Sequence, residues 1–363
     1  MQKQHPNKKG ILSGRIMRTA GRTLLVIILT VVLIAAFLVG VMAIVVHGPS
    51  PAAQRLFVLS TKETSAIGFL PHIFLSDEEV EEILHPTPPE TEPEPVDTFV
   101  EMAFEDGTTT ESAQETVSVD STGNVNSSAA IEMVEIREAL FNGKMLIIPD
   151  PSKVVIGTLD SYSYNVGGKY LYEFIEKYGA IGGTNAGGFY DPNGGGNGGV
   201  PGYNNNPDGL VIRDGSIIWG SAGSYYTGVI GFDANNVLHV GNMTGQEALD
   251  KGIVSACNFQ PGPVLVKDGV KQTGLGGGVN PRTCIGQRED GTILLMVIIG
   301  RKTSSLGATY DDLANLMYEY GAVNASNLDG GSSSLMYYQG EQVTEGSNLI
   351  GMRPLPTSIL VLE

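Results

Sequence analysis

GLVIRDGSIIWG (residues 209–220) sets two apolar runs on either side of Asp214-Gly215. Asp-Gly between such runs signals a tight β-hairpin, because both turn positions of the favoured two-residue loop need positive φ. PVLVKDGVKQT (263–273) repeats the device at Asp268-Gly269, and CIGQREDGTILLMVII (284–299) repeats it at Asp290-Gly291. Three hairpins call for antiparallel sheet. Before and after them lie two segments of helical period. GGKYLYEFIEKYG (167–179) puts Leu171, Phe174, Ile175 and Tyr178 on one face; TYDDLANLMYEYG (309–321) does so with Leu313, Leu316, Met317 and Tyr320. The second has Thr309 as N-cap with Asp312 three residues on, and Gly321 as its stop. Hairpins with segregated helices predict an α+β domain with a mixed, largely antiparallel sheet and packed helices.

That domain spans 131–363, and the residues before it read differently. Residues 24–46, LLVIILTVVLIAAFLVGVMAIVV, carry no charge. At 1.5 Å per residue such a helix reaches roughly 34 Å, enough to cross a bilayer. Lys3, Lys8, Lys9, Arg15, Arg18 and Arg22 precede it without an acid, so a cytoplasmic tail (1–23), a single-pass transmembrane anchor and an extracellular C-terminal domain are expected. The run is longer than a signal-peptide core and HGPSPAAQ (47–54) is a poor cleavage site. A juxtamembrane stretch (47–85) is too apolar for a plain linker, with Phe69, Leu70, Ile73 and Phe74 set against the membrane or a partner. Between Ser76 and Ala130 stand 15 acids and no Lys or Arg, and 86–130 reads as an extended, disordered acidic stalk.

Charge excludes some functions. The chain carries −17, and from Leu140 onward 20 acids face 13 bases. That is no nucleic-acid footprint. An anionic ligand would need locally placed arginines. Ser–His hydrolysis lacks its histidine, since His239 in NNVLHVGN reads as a strand residue. His/Cys metal clusters and a P-loop are missing, and DPNGGGNGG (191–199) fails as a calcium loop because Gly195 stands where an acid or Asn belongs. Neither a metal nor a cofactor is expected. Cys257 and Cys284 read as two buried free thiols.

What remains is a set of glycine-rich edges and arginines. GAIGGTNAGGFYD (179–191) offers Asn185 beside Gly187 and Gly188, then Phe189 and Tyr190: an amide, room for a ligand, and an aromatic wall suited to a sugar. The glycine-rich run that follows, to residue 209, reads mostly as a surface loop. NLDGGSSS (327–334) puts Asp329 ahead of Gly330, Gly331, Ser332 and Ser333, which reads either as ordinary turn chemistry or as a site in which the glycines let the backbone approach an anion and Asp329 does chemistry. Arg282 leads into a strand, Arg301 leaves one, and Arg353 precedes the last, settings suited to a bidentate grip on phosphate or carboxylate.

TNAGGFYD (184–191), NPRTCIGQREDG (280–291), the stretch from Ile298 to Gly340 containing NLDGGSS, and GMRPLPTSILV (351–361) together resemble the phosphodiester glycosidase family, over roughly residues 140–363. The resemblance implies hydrolysis of a sugar-1-phosphodiester at the glycosidic C1–O bond. Asp329 would be nucleophile or base for water, Asn185 would position the sugar, and Arg282, Arg353 and Arg301 would hold the phosphate. Gly187, Gly188, Phe189, Gly330, Gly331, Ser332 and Ser333 would line the substrate site. Many relatives carry Asp-Gly-Arg where this chain has Ile299-Gly300-Arg301, so no role for that Asp transfers. The partners implied are a carbohydrate phosphodiester or anionic glycopolymer and, through 24–46, the lipid bilayer. The competing reading is a non-catalytic domain that binds anionic wall polymer or exopolysaccharide during export.

Overall fold

A computed structural model describes residues 8–63, 67–84, 130–163, 167–190, 206–260, 262–346 and 352–363. The acidic stalk (86–130, save Ala130) and the glycine-rich loop 191–205 lie outside the described residues. The chain is α+β, and every strand pairing among the described residues is antiparallel.

A seven-stranded sheet is centred on Asn142–Ile148, Ile293–Ile298, Arg282–Arg288 and Ala322–Asn327. A five-stranded sheet has Ala180–Asn185 and Thr357–Leu362 at its middle, and a second is built around Ile253–Asn258 and Tyr225–Asp233. Ile293–Ile298 is buried at every position, as expected of a strand covered on both faces. One face helps form a cluster shared by all three sheets, with Leu146, Leu295, Ile230 and Ile359 among its members. The other packs on the Tyr310–Glu319 helix through Leu313, Ala314 and Met317. That helix starts as its sequence dictates: Thr309 accepts from the Asp312 N–H at 3.2 Å, and Asp312 accepts from the Thr309 N–H at 2.8 Å. The Leu171–Tyr178 helix buries Leu171 and Phe174, with Ile175 and Tyr178 packed beside them.

Two of the three Asp-Gly turns are two-residue loops of the expected kind. Asp214 and Gly215 have φ of 50° and 70°, Asp268 and Gly269 of 50° and 77°. At the third only Gly291 has positive φ, and the loop is longer: the Arg288 N–H donates to Thr292 O, and Asp290 Oδ1 accepts from the Thr292 N–H. Cys257 and Cys284 are buried free thiols in different sheets.

Upstream, the helix Lys8–His47 contains a span, Gly21–His47, long and apolar enough to cross a membrane. Helices Pro51–Lys62 and Asp77–Leu84 follow it and share a small core with its end, through Val46, Val58, Leu75 and Val80. Phe74 packs against that core, while Phe69 and Ile73 are exposed. The Pro51–Lys62 helix also docks on the C-terminal domain. The Val279 N–H donates to Ser60 Oγ at 2.9 Å, and a Cβ at Gly278 would lie 2.3 Å from Ser60 Cα. Glycine at 278 is therefore what lets the two backbones meet.

Candidate active site

The Ala180–Asn185 strand ends in Ala186-Gly187-Gly188, and this edge organises the site. The Asp329 N–H donates to Ala186 O at 2.8 Å. The Gly187 N–H donates to Thr357 Oγ1 at 2.9 Å, and the Gly188 N–H to Asn258 O at 3.1 Å. Neither glycine tolerates a side chain. A Cβ would lie 2.7 Å from Asn258 O at Gly187 and 2.6 Å from Asp208 Oδ2 at Gly188.

Asn185 is fully buried and ties three segments together. Its amide nitrogen donates to Asp329 O, while its oxygen accepts from Thr283 Oγ1 at 2.8 Å and from the Leu335 N–H at 3.4 Å. Its contacts are with the backbone and hydroxyl that fix the Asp329 loop. That loop is closed from below as the Leu328 N–H donates to Thr283 O and the Gly331 N–H to Pro281 O. Gly331 has φ of 61°, which favours glycine, and a Cβ at Gly330 would stand 2.9 Å from Pro281 O. Gly331–Ser333 form one 3₁₀ turn, with Ser333 buried and Ser332 reached by Arg301 at 3.3 Å.

The three arginines converge but sit differently. Arg282 is 3% exposed. Its Nε donates to Ala308 O at 3.1 Å, one terminal nitrogen to Gly278 O at 2.6 Å and to Glu63 Oε2 at 2.7 Å, and its guanidinium stacks 3.9 Å above the Tyr310 ring. Arg301, at φ 58°, turns its guanidinium onto Ser332 and onto Asn280 Oδ1 at 3.1 Å. Burial of that guanidinium and the charges of Arg282 and Arg353 press its pKa down, against the pull of Glu63. Mutual repulsion of this kind marks a place where an anion is welcome. Arg353 lies 4.6 Å over the Phe189 ring, which makes Phe189 its platform. Tyr190, on the same strand exit, is exposed.

Two residues that sequence reasoning did not single out complete the picture. Glu63 caps the end of the Pro51–Lys62 helix and accepts from Arg282, from the Asn280 amide at 2.7 Å and from the Gly278 N–H at 3.2 Å. Nothing in TKET marks it. Asp208 follows Pro207, which bridges to Phe189, and its own N–H donates to Gly188 O at 3.1 Å. Burial, then the charge of Asp329, push its carboxyl up to about 7. In sequence, Pro-Asp-Gly reads as turn chemistry and gives no warning of this.

Guanidinium groups and hydroxyls thus gather around the turn after Asp329, and the backbones of Asp329 and Asp208 are bonded to the glycine edge. Such an arrangement can hold an anion beside an electrophilic carbon.

Comparison with known proteins bears on the fold and the family. A relative from Bacillus subtilis (strain 168), the SPbeta prophage-derived uncharacterized protein YomE, is 32% identical over 151 residues. The match covers 39% of this chain, and the chain spans only 23% of that relative's length. Among solved structures, the catalytic domain of zebrafish N-acetylglucosamine-1-phosphodiester alpha-N-acetylglucosaminidase, auto-inhibited by its pro-peptide, superposes with a TM-score of 0.53 at 18% identity. That superposition covers 66% of this chain and 85% of the zebrafish one, and shows a shared fold. The phosphodiester glycosidase family model matches residues 178–362, half of the chain and every element that contributes to the site except Glu63. By that match the chain belongs to the phosphodiester glycosidase family.

Proposed function

We propose that the protein is a membrane-anchored hydrolase that cleaves the glycosidic C1–O bond of a sugar-1-phosphodiester in cell-surface glycopolymer or exopolysaccharide metabolism. The observation that carries this is the placement of Asp329. Its loop is tied to the glycine edge at Ala186 and runs directly into the turn that meets Arg301. A sugar against the edge and a phosphate against the arginines would put the anomeric carbon between them.

In this reading Asp329 acts at C1, as nucleophile or as base for water. As the C1–O bond breaks, negative charge grows on the departing phosphate. Arg301 and Arg353 bind that charge more strongly in the transition state than in the bound diester, which is what lowers a barrier. Arg282 is buried against Glu63 and Tyr310, and a Cβ on Gly330 would lie 3.9 Å from its Cδ, so it backs the Asp329 loop at that glycine. Asn185 positions Asp329, and Phe189 carries Arg353. The basic N-terminal tail would stay in the cytoplasm, the single span would cross the membrane, and the C-terminal domain would work outside.

The test uses the full chain in detergent, incubated with UDP-GlcNAc and with a methyl-phospho-GlcNAc diester. Free sugar and phosphate monoester are read by mass spectrometry, with Asp329→Asn as control. Release that disappears in the variant is the expected result. No release from either diester, together with retention of an anionic wall polymer on a column, would replace the enzyme by a polymer-binding domain.

A further inference from the structure

A second carboxylate hangs from the same edge as Asp329. The Asp329 N–H donates to Ala186 O at 2.8 Å, and the Asp208 N–H to Gly188 O at 3.1 Å, so two residues of one strand exit carry both acids. The Asp208 side chain lies against Gly188, where a Cβ would collide with its Oδ2 and would also meet the Phe259 ring at 3.0 Å. Its Oδ1 is buried and has no hydrogen-bond partner among the described residues. The residue as a whole is only partly buried, so part of it stays open to solvent and ligand.

An ionised carboxylate in that setting is poorly supported. Among the described residues two titratable groups face it: Asp329 across the glycine edge, and the Cys257 thiol from the Ile253–Asn258 strand, which burial pushes up to about 12 and so keeps neutral. Backbone N–H groups at Gln260 and at Asp208 itself offset the penalty in part. A carboxyl that keeps its proton while a neighbouring carboxylate does not is how one site assigns an acid and a second role to chemically identical groups.

We propose that Asp208 is a further catalytic residue, the general acid that hands its proton to the departing phosphate oxygen while Asp329 acts at the anomeric carbon. The proposal rests on the phosphodiester glycosidase reading. As the C1–O bond breaks, its electron pair passes to the bridging phosphate oxygen, which takes the proton from Asp208 and leaves as a phosphate monoester monoanion. One water is consumed in the turnover. Its oxygen ends on C1, one hydrogen stays in the new sugar hydroxyl, and the other restores the proton to Asp208. The pairing is chemically matched, since a phosphate monoester dianion takes up a proton to become the monoanion near pH ~6, close to where Asp208 titrates.

Full-length wild type and Asp208→Asn in detergent are compared on the methyl-phospho-GlcNAc diester and on the glycosyl fluoride of the same sugar and anomeric configuration, whose leaving group needs no proton. Asp208→Asn should lose about a hundredfold or more in kcat/KM on the diester and less than about tenfold on the fluoride. Wild-type kcat/KM on the diester should fall as pH rises through about 7, and the variant should lack that limb. Equal losses on both substrates would make Asp208 a structural residue and overturn the proposal. So would a flat wild-type profile between about pH 5 and 9, a result that does not depend on the variant folding. Wild type inactive on the diester and the fluoride alike would instead bring down the glycosidase reading, and this proposal with it.

Discussion

The arginine side and the carboxylate side of the site are built on opposite principles. Arg282 is buried, yet its Nε and one terminal nitrogen have partners of matching charge or polarity, and an aromatic ring lies beneath its guanidinium. Asp208 is partly buried with an oxygen left unbonded among the described residues, next to another acid. The first is the usual solution for an interior charge, in which geometry and hydrogen bonds offset desolvation. The second is a residue the fold holds in an unfavourable state, a pattern that clusters at functional sites. Stability and chemistry are therefore divided between the two walls, and substitutions on them should move different observables.

The largest effect expected is on chemistry. Asp329→Asn should lower diester hydrolysis by about a thousandfold or more, the order lost when a group acting on the reacting carbon is removed. Because the Asp329 backbone makes the bonds to Ala186 and Asn185, the isosteric amide should leave the unfolding temperature nearly unchanged. A comparable loss of both would mean that Asp329 is structural, and the contrast between the walls would collapse.

Next comes the arginine side. Glu63→Ala removes the carboxylate that meets Arg282, Asn280 and the Gly278 N–H, and leaves a buried guanidinium short of its counter-charge. Breaking one partner of a buried pair costs about 3–5 kcal/mol, and because the Glu63 side chain retains 26% exposure the lower end, about 3, is expected. The loss should appear as a lower unfolding temperature and faster proteolytic cutting between Lys62 and the C-terminal domain. An unchanged melting curve would show that the Pro51–Lys62 helix does not hold Arg282 in place.

How much of this was legible before the structure depends on the range over which each feature is decided. Asp214-Gly215 and Asp268-Gly269 are local matters: turn residues, alternating neighbours and chain twist agree, and both form tight hairpins. Asp290-Gly291 looked the same in sequence, but Asp290 spends its carboxylate on the Thr292 N–H, and the loop opens by local hydrogen bonding that competes with the two-residue turn. The glycine edges were legible because a glycine run beside an apolar strand already implies close approach of backbone. Arg282 announced itself as a strand-end cation, and its burial did not, since what covers it is Glu63 from a segment on the far side of the acidic stalk. Asp208 was hidden for the same reason. Its environment comes from Gly188, Phe259 and Asp329, three separate stretches of chain.

The carboxylate side offers the opposite sign of effect. A carboxyl whose folded-state pKa lies above its unfolded value favours the folded state at low pH, and that advantage drains away as pH rises from about 4 to about 7. Above that range the ionised Asp208 works against folding. Asp208→Asn should therefore stabilise the protein at pH 8, by about 2 kcal/mol after allowing for the exposed part of the residue, and much less at pH 4. Thermal unfolding at the two pH values reads the difference directly. A variant less stable than wild type at pH 8 would mean that the carboxylate is a structural partner after all.

The smallest effect tests the joint between the walls. Thr283 donates its hydroxyl to Asn185 Oδ1 at 2.8 Å, while its own backbone oxygen receives the Leu328 N–H. Thr283→Val keeps the backbone link and the shape but removes the donor, leaving the Asn185 oxygen with only the longer bond from the Leu335 N–H at 3.4 Å. The stability cost should be about 1 kcal/mol, the price of one under-satisfied buried acceptor. Asn185 then has freedom to rotate, and its amide nitrogen is what holds the Asp329 carbonyl. A merely structural threonine would lower the unfolding temperature and leave turnover per folded molecule intact. If Asn185 instead positions Asp329, kcat should fall about tenfold with KM little changed, because misplacing a reacting group taxes the transition state more than binding.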